Sequence, residues 1–407
     1  MAESFIAEPA ASQRSQALLA ASRGGWAPAA GEDFGAFWTR IPVTDAGKTD
    51  PAALAGAGHG ARILFSSGGS TGAPKYTELA FAEMLDNCAV HGRSYLAAGV
   101  RSSDVVAAWG LPGLMSSEFT VYLALAETGC CILPIGVTAV ETIAELVAQF
   151  QASVLLVMPS DLIPLANLME SNGIRLPSVR LILTGGEALP PADEGRYRAL
   201  FGDQVRFRST FQTSEVGAIG YQCDGCGFGE YHVHDDLQLV EVIRDPGAGV
   251  GQLVTTNLRR QLVPVLRQRT GDLAEAIGSL CPCGDSAPRI RLRGRSGRFV
   301  NFGGEKFDVT VLSKLKDDLA LRNDDFQLVL DRDEAGRDQF VLRSRQVCAD
   351  AALQERIAGY FAGLSAKVAD QLAHGVIADI RFAVLDAGEL SFTVAGKVRY
   401  FVDHRVR

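Results

Sequence analysis

The stretch Ser66-Ser67-Gly68-Gly69-Ser70-Thr71-Gly72-Ala73-Pro74-Lys75 collects the groups that hold a polyphosphate. Glycines let the backbone approach phosphate oxygens, while amide N–H groups, hydroxyls and a lysine supply donors. A flexible Gly/Ser linker has a similar composition, but this stretch directly follows a strand-length apolar run, Arg62 to Phe65. It is no P-loop, since Ala73-Pro74 separates the last glycine from Lys75 where that loop has Gly-Lys-Ser/Thr. Gly56-Ala57-Gly58-His59-Gly60-Ala61 matches a dinucleotide fingerprint in letters alone, with no strand before it and no helix after it, and reads as a loop.

A second constellation is made of soft ligands. Cys223-x-x-Cys226, His232, His234, Cys281 and Cys283 offer more donors than the four a tetrahedral zinc ion takes. The group bridges two loops of a period-two region and looks closed, without the open position and adjacent acid or base of a catalytic zinc, so a structural metal is expected. Unligated, reduced cysteines are the alternative. A thioredoxin-like redox role lacks its βαβ surroundings. Cys88, Cys130, Cys131 and Cys348 stand apart and read as core residues.

Such groups need elements to position them. From Ile63 onward, apolar runs alternate with helix-like segments: RILF then TELAFAEMLDNCAVHGRSYLAAG, DVVAAWG then SEFTVYLALAETG, CCILPI then TAVETIAELVAQF, SVLLVM then DLIPLANLMESNG, and RLILTGG. This predicts β-α units around a mainly parallel sheet buried on both faces, hence an α/β fold. From Leu237 the runs adopt period two, as in LQLVEVI and GQLVTTN, which suggests an antiparallel, barrel-like subdomain. Beyond the arginine-rich RLRGRSGRFVNFGG, the order strand (FQLVLDRD), strand (QFVLRSR), helix (ALQERIAGYFAGLSAKVADQL), strand (DIRFAVLD) fits a small α+β domain.

The 407 residues are 47% hydrophobic, ample for a large core, and exceed one ordinary domain. A net charge of -8 leaves no broad basic surface for a nucleic acid. The opening MAESFIAEPAASQRSQALLA is acidic and lacks the apolar core of a secretory signal, and no uncharged segment reaches spanning length. A cytoplasmic protein without membrane attachment is expected.

Further motifs follow the phosphate loop in order: Thr184-Gly185-Gly186-Glu187-Ala188-Leu189, Phe211-Gln212-Thr213-Ser214-Glu215-Val216-Gly217, Thr270-Gly271-Asp272, Gly294-Arg295-Ser296-Gly297 with Gly303-Gly304-Glu305-Lys306, and Ala395-Gly396-Lys397-Val398-Arg399. Through them the chain resembles the adenylate-forming superfamily of acyl-CoA synthetases, nonribosomal adenylation domains and luciferases. The likeness runs from FWTRIPVTD to VRYFVDHR and is closest to the phenylacetate-CoA ligase-like branch.

The resemblance implies an N-terminal ATP- and acid-binding domain over 1–295 and a small mobile lid over 296–407 carrying the catalytic lysine. It implies ATP and Mg2+ as cofactors, a small and aromatic carboxylic acid as substrate, and CoA as co-substrate. A carrier-protein phosphopantetheine as acceptor, arrest at the adenylate, and a non-catalytic nucleotide-binding homologue are the alternatives, with a homodimer as an option. By the same resemblance Ser67, Gly68, Gly69, Ser70, Thr71, Gly72 and Lys75 hold the β- and γ-phosphates; Gly185, Gly186, Glu187 and Ala188 lie along adenine with Phe211, Gln212 and Thr213 beside them. Ser214 serves the α-phosphate, Glu215 binds Mg2+, Asp272 takes the ribose hydroxyls, Arg295 contacts ribose or phosphate, and Lys397 bridges carboxylate and α-phosphate. Gly297 stands where relatives carry an aspartate or lysine pivot. The zinc set the resemblance selects is Cys223, His232, Cys281 and Cys283, with Cys226 in reserve; Arg289, Arg291, Arg293 and Arg298 are candidates for the 3′-phosphate of CoA. Trp109, Leu111, Met115, Phe119, Ile135 and Phe211 are candidate walls of the acyl pocket.

Overall fold

The computed structural model describes residues 9–45, 60–67, 75–109, 117–136, 138–186, 189, 191–244, 249–295, 299–302, 305–308, 326–344, 350–363, 366–383 and 401–405. Two compact units divide the chain: the smaller takes Gly297–Arg407 together with Ser160–Asn167, and the larger comprises most of what precedes Gly297.

In the larger unit, short β-rich apolar runs form the strands of an 11-stranded sheet. Strands β3 (Val105–Ala108), β5 (Val154–Val157) and β6 (Leu181–Gly185) are buried almost throughout, as strands covered on both faces must be. Edge strand β4 (Cys131–Pro134) is partly exposed. Together with β7 (Arg206–Thr213) they pair in parallel in the order β7-β6-β5-β3-β4. Helix α3 (Phe81–Ala97) follows the 3.6-residue period, burying Met84, Cys88, His91 and Tyr95. Met84, Cys88 and Tyr95 share a core with Val106, Val154, Leu181 and Leu183, and with Ala124 and Leu125 of α4 (Ser117–Ala126). Helices α5 (Val140–Gln149), α6 (Pro159–Asn172, of which Ser160–Asn167 groups with the smaller unit) and α7 (Pro191–Phe201) complete the alternation along the chain.

At β7 the sheet changes direction. The strands β8 (Gly217–Tyr221), β9 (Glu230–Val233), β13 (Arg289–Arg295), β12 (Gln268–Ile277), β11 (Gly251–Asn257) and β10 (Gln238–Ile243) continue it, every pair antiparallel. The expected period-two segments LQLVEVI and GQLVTTN form β10 and β11, and the antiparallel half is hydrogen-bonded to the parallel half through β7 and β8.

The expected start of the first β-α unit is corrected. Arg62–Ser67 (β1) pairs with Lys75–Ala80 (β2) as a two-stranded antiparallel hairpin, and the helix begins at Phe81 rather than Thr77. The β1 ladder satisfies the β2 backbone, and the Glu83 carboxylate accepts the Ala80 N–H at 3.0 Å, fixing the helix start there.

The N-terminal helices α1 (Ala11–Arg23) and α2 (Phe34–Arg40) bury Ala17, Ala21, Phe37 and Trp38 against Leu239 and Leu258. A buried polar network fastens them. Arg267, at the unusual φ of +42°, pairs with fully buried Glu241 at 2.9 Å and donates to the carbonyl of Ile41 at 2.6 Å, while the Trp38 indole N–H donates to Glu241 at 3.0 Å.

The smaller unit carries a four-stranded sheet in the order β18-β17-β16-β19, from β16 (Phe326–Arg332), β17 (Asp338–Ser344), β18 (Arg381–Ala383) and β19 (Phe401–Asp403). Its core stacks Phe340 on Phe302 and Phe361, with ring centroids 4.0 and 4.6 Å apart. Phe302 belongs to the hairpin β14 (Phe299–Phe302) and β15 (Glu305–Asp308). One helix was expected over ALQERIAGYFAGLSAKVADQL; instead α8 (Ala351–Ala362) is capped at Gly363 and α9 (Ala366–Ala373) is separate. No described helix is long and apolar enough to cross a membrane.

Removing one partner of a buried ion pair leaves an uncompensated charge, so Glu241→Ala should lower unfolding free energy by roughly 3–5 kcal/mol. Urea unfolding followed by tryptophan fluorescence checks this; a loss under about 1 kcal/mol, the range of an exposed pair, would refute it.

Candidate functional site

Several family motifs lie at strand ends. Ser67 and Lys75 are register partners at the loop end of the β1–β2 hairpin, so the phosphate-loop segment is that hairpin's connection. Gly68, Gly69, Ser70, Thr71 and Gly72 lie outside the described residues, as do the side chains of Ser67 and Lys75. Strand β6 ends at Gly185, directly opposite Thr210 of β7, and Gly186 follows at φ +79°. Glu187 and Ala188 lie outside the described residues. Phe211, Gln212 and Thr213 close β7, and Ser214 and Glu215 form the turn into β8. The carboxyl ends of parallel strands, where this turn sits, are where open α/β sheets bind ligands.

Local bonds shape that turn. The Thr213 hydroxyl accepts the Val216 N–H at 3.2 Å. The Asn257 amide donates to the Val216 carbonyl at 2.9 Å, and Gln238 donates to that of Ala218 at 2.9 Å. Gly217 adopts φ +93°, and Asn87 Oδ1 accepts the Ala218 N–H at 2.9 Å from a position only 2.2 Å from where a Gly217 Cβ would stand.

Asp272 is buried on β12, where its N–H donates to Thr270 Oγ1 at 3.1 Å and its register partner is Arg295 of β13. Gly271 has φ +81°, and the ladder bulges between Asp272 and Ala274, which re-aims the side chain. The Arg295 side chain, Ser296, Gly297 and Lys397 lie outside the described residues.

Cys223, His232, Cys281 and Cys283 converge, with one ligand atom from each within 4.8 Å of the others. Cys223 Sγ lies 3.5 Å from both His232 Nε2 and Cys281 Sγ, and Cys283 Sγ lies 3.5 Å from His232 Nε2. Sulfurs on a tetrahedral zinc, at about 2.3 Å each, stand about 3.8 Å apart, so the donor set fits that ion. Cys226 Sγ is 3.6 Å from Cys223 Sγ. His234 does not join: its Nε2 meets Ser94 Oγ at 2.7 Å, and burial pushes its pKa down to about 3. Desolvation pushes the thiols of Cys223 and Cys283 up to about 11. Cys281 is held below the usual thiol value, since hydrogen bonds from the Cys283 backbone and from the thiols of Cys283 and Cys223 outweigh its desolvation. Desolvation also lowers His232, favouring the neutral imidazole a metal needs.

This knuckle is fastened to β7. Asp224, between the two cysteines of the C-x-x-C, pairs with Arg206 at 2.9 Å and Arg208 at 2.6 Å, and Gln222 Oε1 accepts the Ser209 N–H at 2.7 Å. Sequence reasoning missed Asp224 and Asn257, for their partners are set by tertiary register and no local pattern marks them.

Arg291 bridges Glu230 and Glu275, Arg293 pairs with Glu275 at 2.6 Å, and buried Arg289 donates to the Ser279 carbonyl at 2.8 Å. Arg298 lies outside the described residues. Of the pocket candidates, Ile135 is buried, Trp109 and Phe211 are half-buried, Phe119 is exposed, and Leu111 and Met115 lie outside the described residues.

A sheet with a parallel, helix-flanked half and these motif segments at its strand ends defines an α/β protein. The family model for AMP-binding enzymes matches residues 8–244, more than half of the chain, and the chain belongs to that family. The phenylacetate-coenzyme A ligase of Pseudomonas putida is 28% identical over 244 residues, 58% of this chain and 54% of that one, so the chain matches about half the length of this relative. The indoleacetate–lysine synthetase of Pseudomonas savastanoi is 24% identical over 289 residues, 70% of this chain and 69% of that one. A crystal structure of 2-hydroxyisobutyryl-CoA ligase with 2-HIB-AMP and CoA has the same fold, with a TM-score of 0.70 at 19% identity over 96% of this chain and 88% of that one.

Gly217→Ala should cost about 1–3 kcal/mol, for alanine at this φ is strained and its methyl collides with Asn87. Comparing denaturant midpoints of the variant and parent checks it; matching midpoints would show that the turn does not need glycine.

Proposed function

We propose that the chain joins a small aromatic carboxylic acid to the AMP part of ATP, with Mg2+ as cofactor, releasing pyrophosphate, and passes the acyl group to CoA with release of AMP. The observation that carries this reading is the adjacency of the Gly185–Gly186 strand end and the Phe211–Glu215 turn on paired strands β6 and β7, in a chain of the AMP-binding family. A carboxylate resists nucleophiles because its leaving group would be oxide. Attack on the ATP α-phosphate makes AMP the leaving group, and the charge that develops calls for positioned donors and cations.

In this reading Gly185 and Gly186 flank adenine, and buried Asp272 accepts from the ribose hydroxyls. Glu215 holds Mg2+, which would neutralise phosphate charge, while Ser214 donates to the α-phosphate. Ser67, Ser70, Thr71 and Lys75 grip the outer phosphates, and Lys397, brought by a lid domain beginning near residue 296, lets carboxylate and α-phosphate approach. Phenylacetate-CoA ligases among the relatives support the aromatic acid and the CoA acceptor.

A second reading keeps the adenylate and changes the acceptor to an amine. The indoleacetate–lysine synthetase match covers more of both chains than the P. putida match, and three of the arginines considered for a CoA phosphate, Arg289, Arg291 and Arg293, are paired with Glu230 or Glu275. Pyrophosphate release from ATP, Mg2+ and a panel of aromatic acids, measured with CoA, with lysine and with neither, separates the readings. Silence in every arm refutes adenylation by this chain.

Lys397→Ala should lower pyrophosphate release at least about a hundredfold, on the scale of losing a charge-stabilising group in the transition state, while ATP still binds. Full turnover by the variant would remove Lys397 from the mechanism.

Cys223, His232, Cys281 and Cys283 would hold a structural zinc ion that closes the β8–β9 and β12–β13 loops onto one another. Gently purified protein should carry one zinc per chain by plasma mass spectrometry, and Cys281→Ser should lose it and melt earlier. Metal-free protein with an unaltered melting temperature would contradict this.

A further inference from the structure

Outside the motifs, Arg260 is a buried cation on the connection between β11 and β12. Its Nη2 donates to the Glu78 carbonyl at 2.7 Å, so it grips β2, the strand that leads out of the phosphate loop. Its Nε lies 3.8 Å from Glu83 Oε2, and Glu83 accepts the backbone N–H groups of Gln261 and of Leu262, the latter at 2.8 Å. The connection is therefore latched to β2 through Arg260 and to the first turn of α3 through Glu83.

The other end of the latch reaches the proposed magnesium turn. Asn257 Oδ1 accepts the N–H groups of Arg259 at 2.9 Å and Arg260 at 3.0 Å, while its Nδ2 donates to the Val216 carbonyl at 2.9 Å, one residue beyond Glu215. An unbroken path runs from the Glu215 turn through Asn257 and Arg260 to β2. A small space of about 20 Å³, room for about one water, is bordered by Leu79, Glu83, Val216, Gly217, Asn257 and Arg260, so hairpin, turn and connection line the same gap.

We infer that Arg260 is a positioning residue that, with Asn257, sets the separation between the triphosphate hairpin and the magnesium-binding turn. The inference rests on the proposed use of ATP. ATP touches both elements through its outer phosphates and metal. AMP lacks those phosphates and needs only the adenine and ribose elements. A merely structural arginine would affect both nucleotides alike.

The test is calorimetric titration of the full chain, without acid substrate, with ATP in excess Mg2+ and separately with AMP, alongside thermal melting. Arg260→Met should weaken ATP at least about tenfold, the equivalent of one charge-assisted hydrogen bond, and leave AMP within about twofold. Arg260→Lys, which keeps a donor for the Glu78 carbonyl, should recover part of the ATP affinity and serves as the test if the methionine variant does not fold. Equal weakening of both nucleotides, or unchanged ATP affinity in the variant measured, overturns the inference. Parent protein that binds neither nucleotide would instead overturn the proposed function.

Discussion

The two edges of β7 are the constraint on which the rest depends. One edge bonds β6 in parallel and the other bonds β8 antiparallel, so this strand must serve both hydrogen-bonding patterns at once. A register slip of one residue would send alternate side chains to the opposite faces. Thr213 and Glu215 would then leave their places, and the rung that sets Gly185 against Thr210 would be lost. The strand is accordingly fixed along its length: Arg206 and Arg208 to Asp224, Ser209 to Gln222 and Tyr231, and Thr210 to His91. Burial pushes the pKa of His91 down to about 4, so at neutral pH it adds no charge beside the strand.

The antiparallel half acts as a brace as much as a platform. Glu241 and Arg267 bind helix α2 to strands β10 and β12, and β12 then carries Asp272. Arg267 keeps its left-handed backbone because its guanidinium meets a carboxylate and backbone carbonyls in a buried place. Along β13, Arg289, Arg291 and Arg293 are engaged by Glu230 and Glu275.

What the sequence reveals follows from the range of the physics involved. Buried strands β3, β5 and β6 are legible because continuous apolar runs have few other uses, and the order of the small domain is legible from its alternation. Lys75–Ala80 is not, since KYTELA followed by FAEML has a helical look and only pairing with β1 decides for strand. The break at Gly363 and the parallel strand β19 are likewise decided by packing against Phe340 and β16. The convergence of Cys223, His232, Cys281 and Cys283 is foreseen through family likeness, whereas the partners of Arg260, Asn257 and Asp224 depend on register across the chain and leave no local trace.

The cysteine cluster also shows why its position matters to β7. With Cys223 and Cys283 pushed up to about 11, the metal-free knuckle keeps protons on both at neutral pH, and its sulfurs meet only through weak S–H contacts. A zinc ion would displace those protons and replace weak contacts by bonds that fix both loops. The loop so fixed contains Asp224, the acceptor for Arg206 and Arg208, and lies next to Gln222, the acceptor for the Ser209 backbone. Rigidity gained at the sulfurs would therefore be transmitted to the strand that ends in Phe211, Gln212 and Thr213. A structural metal held there would in this way limit how far the Ser214–Glu215 turn can move.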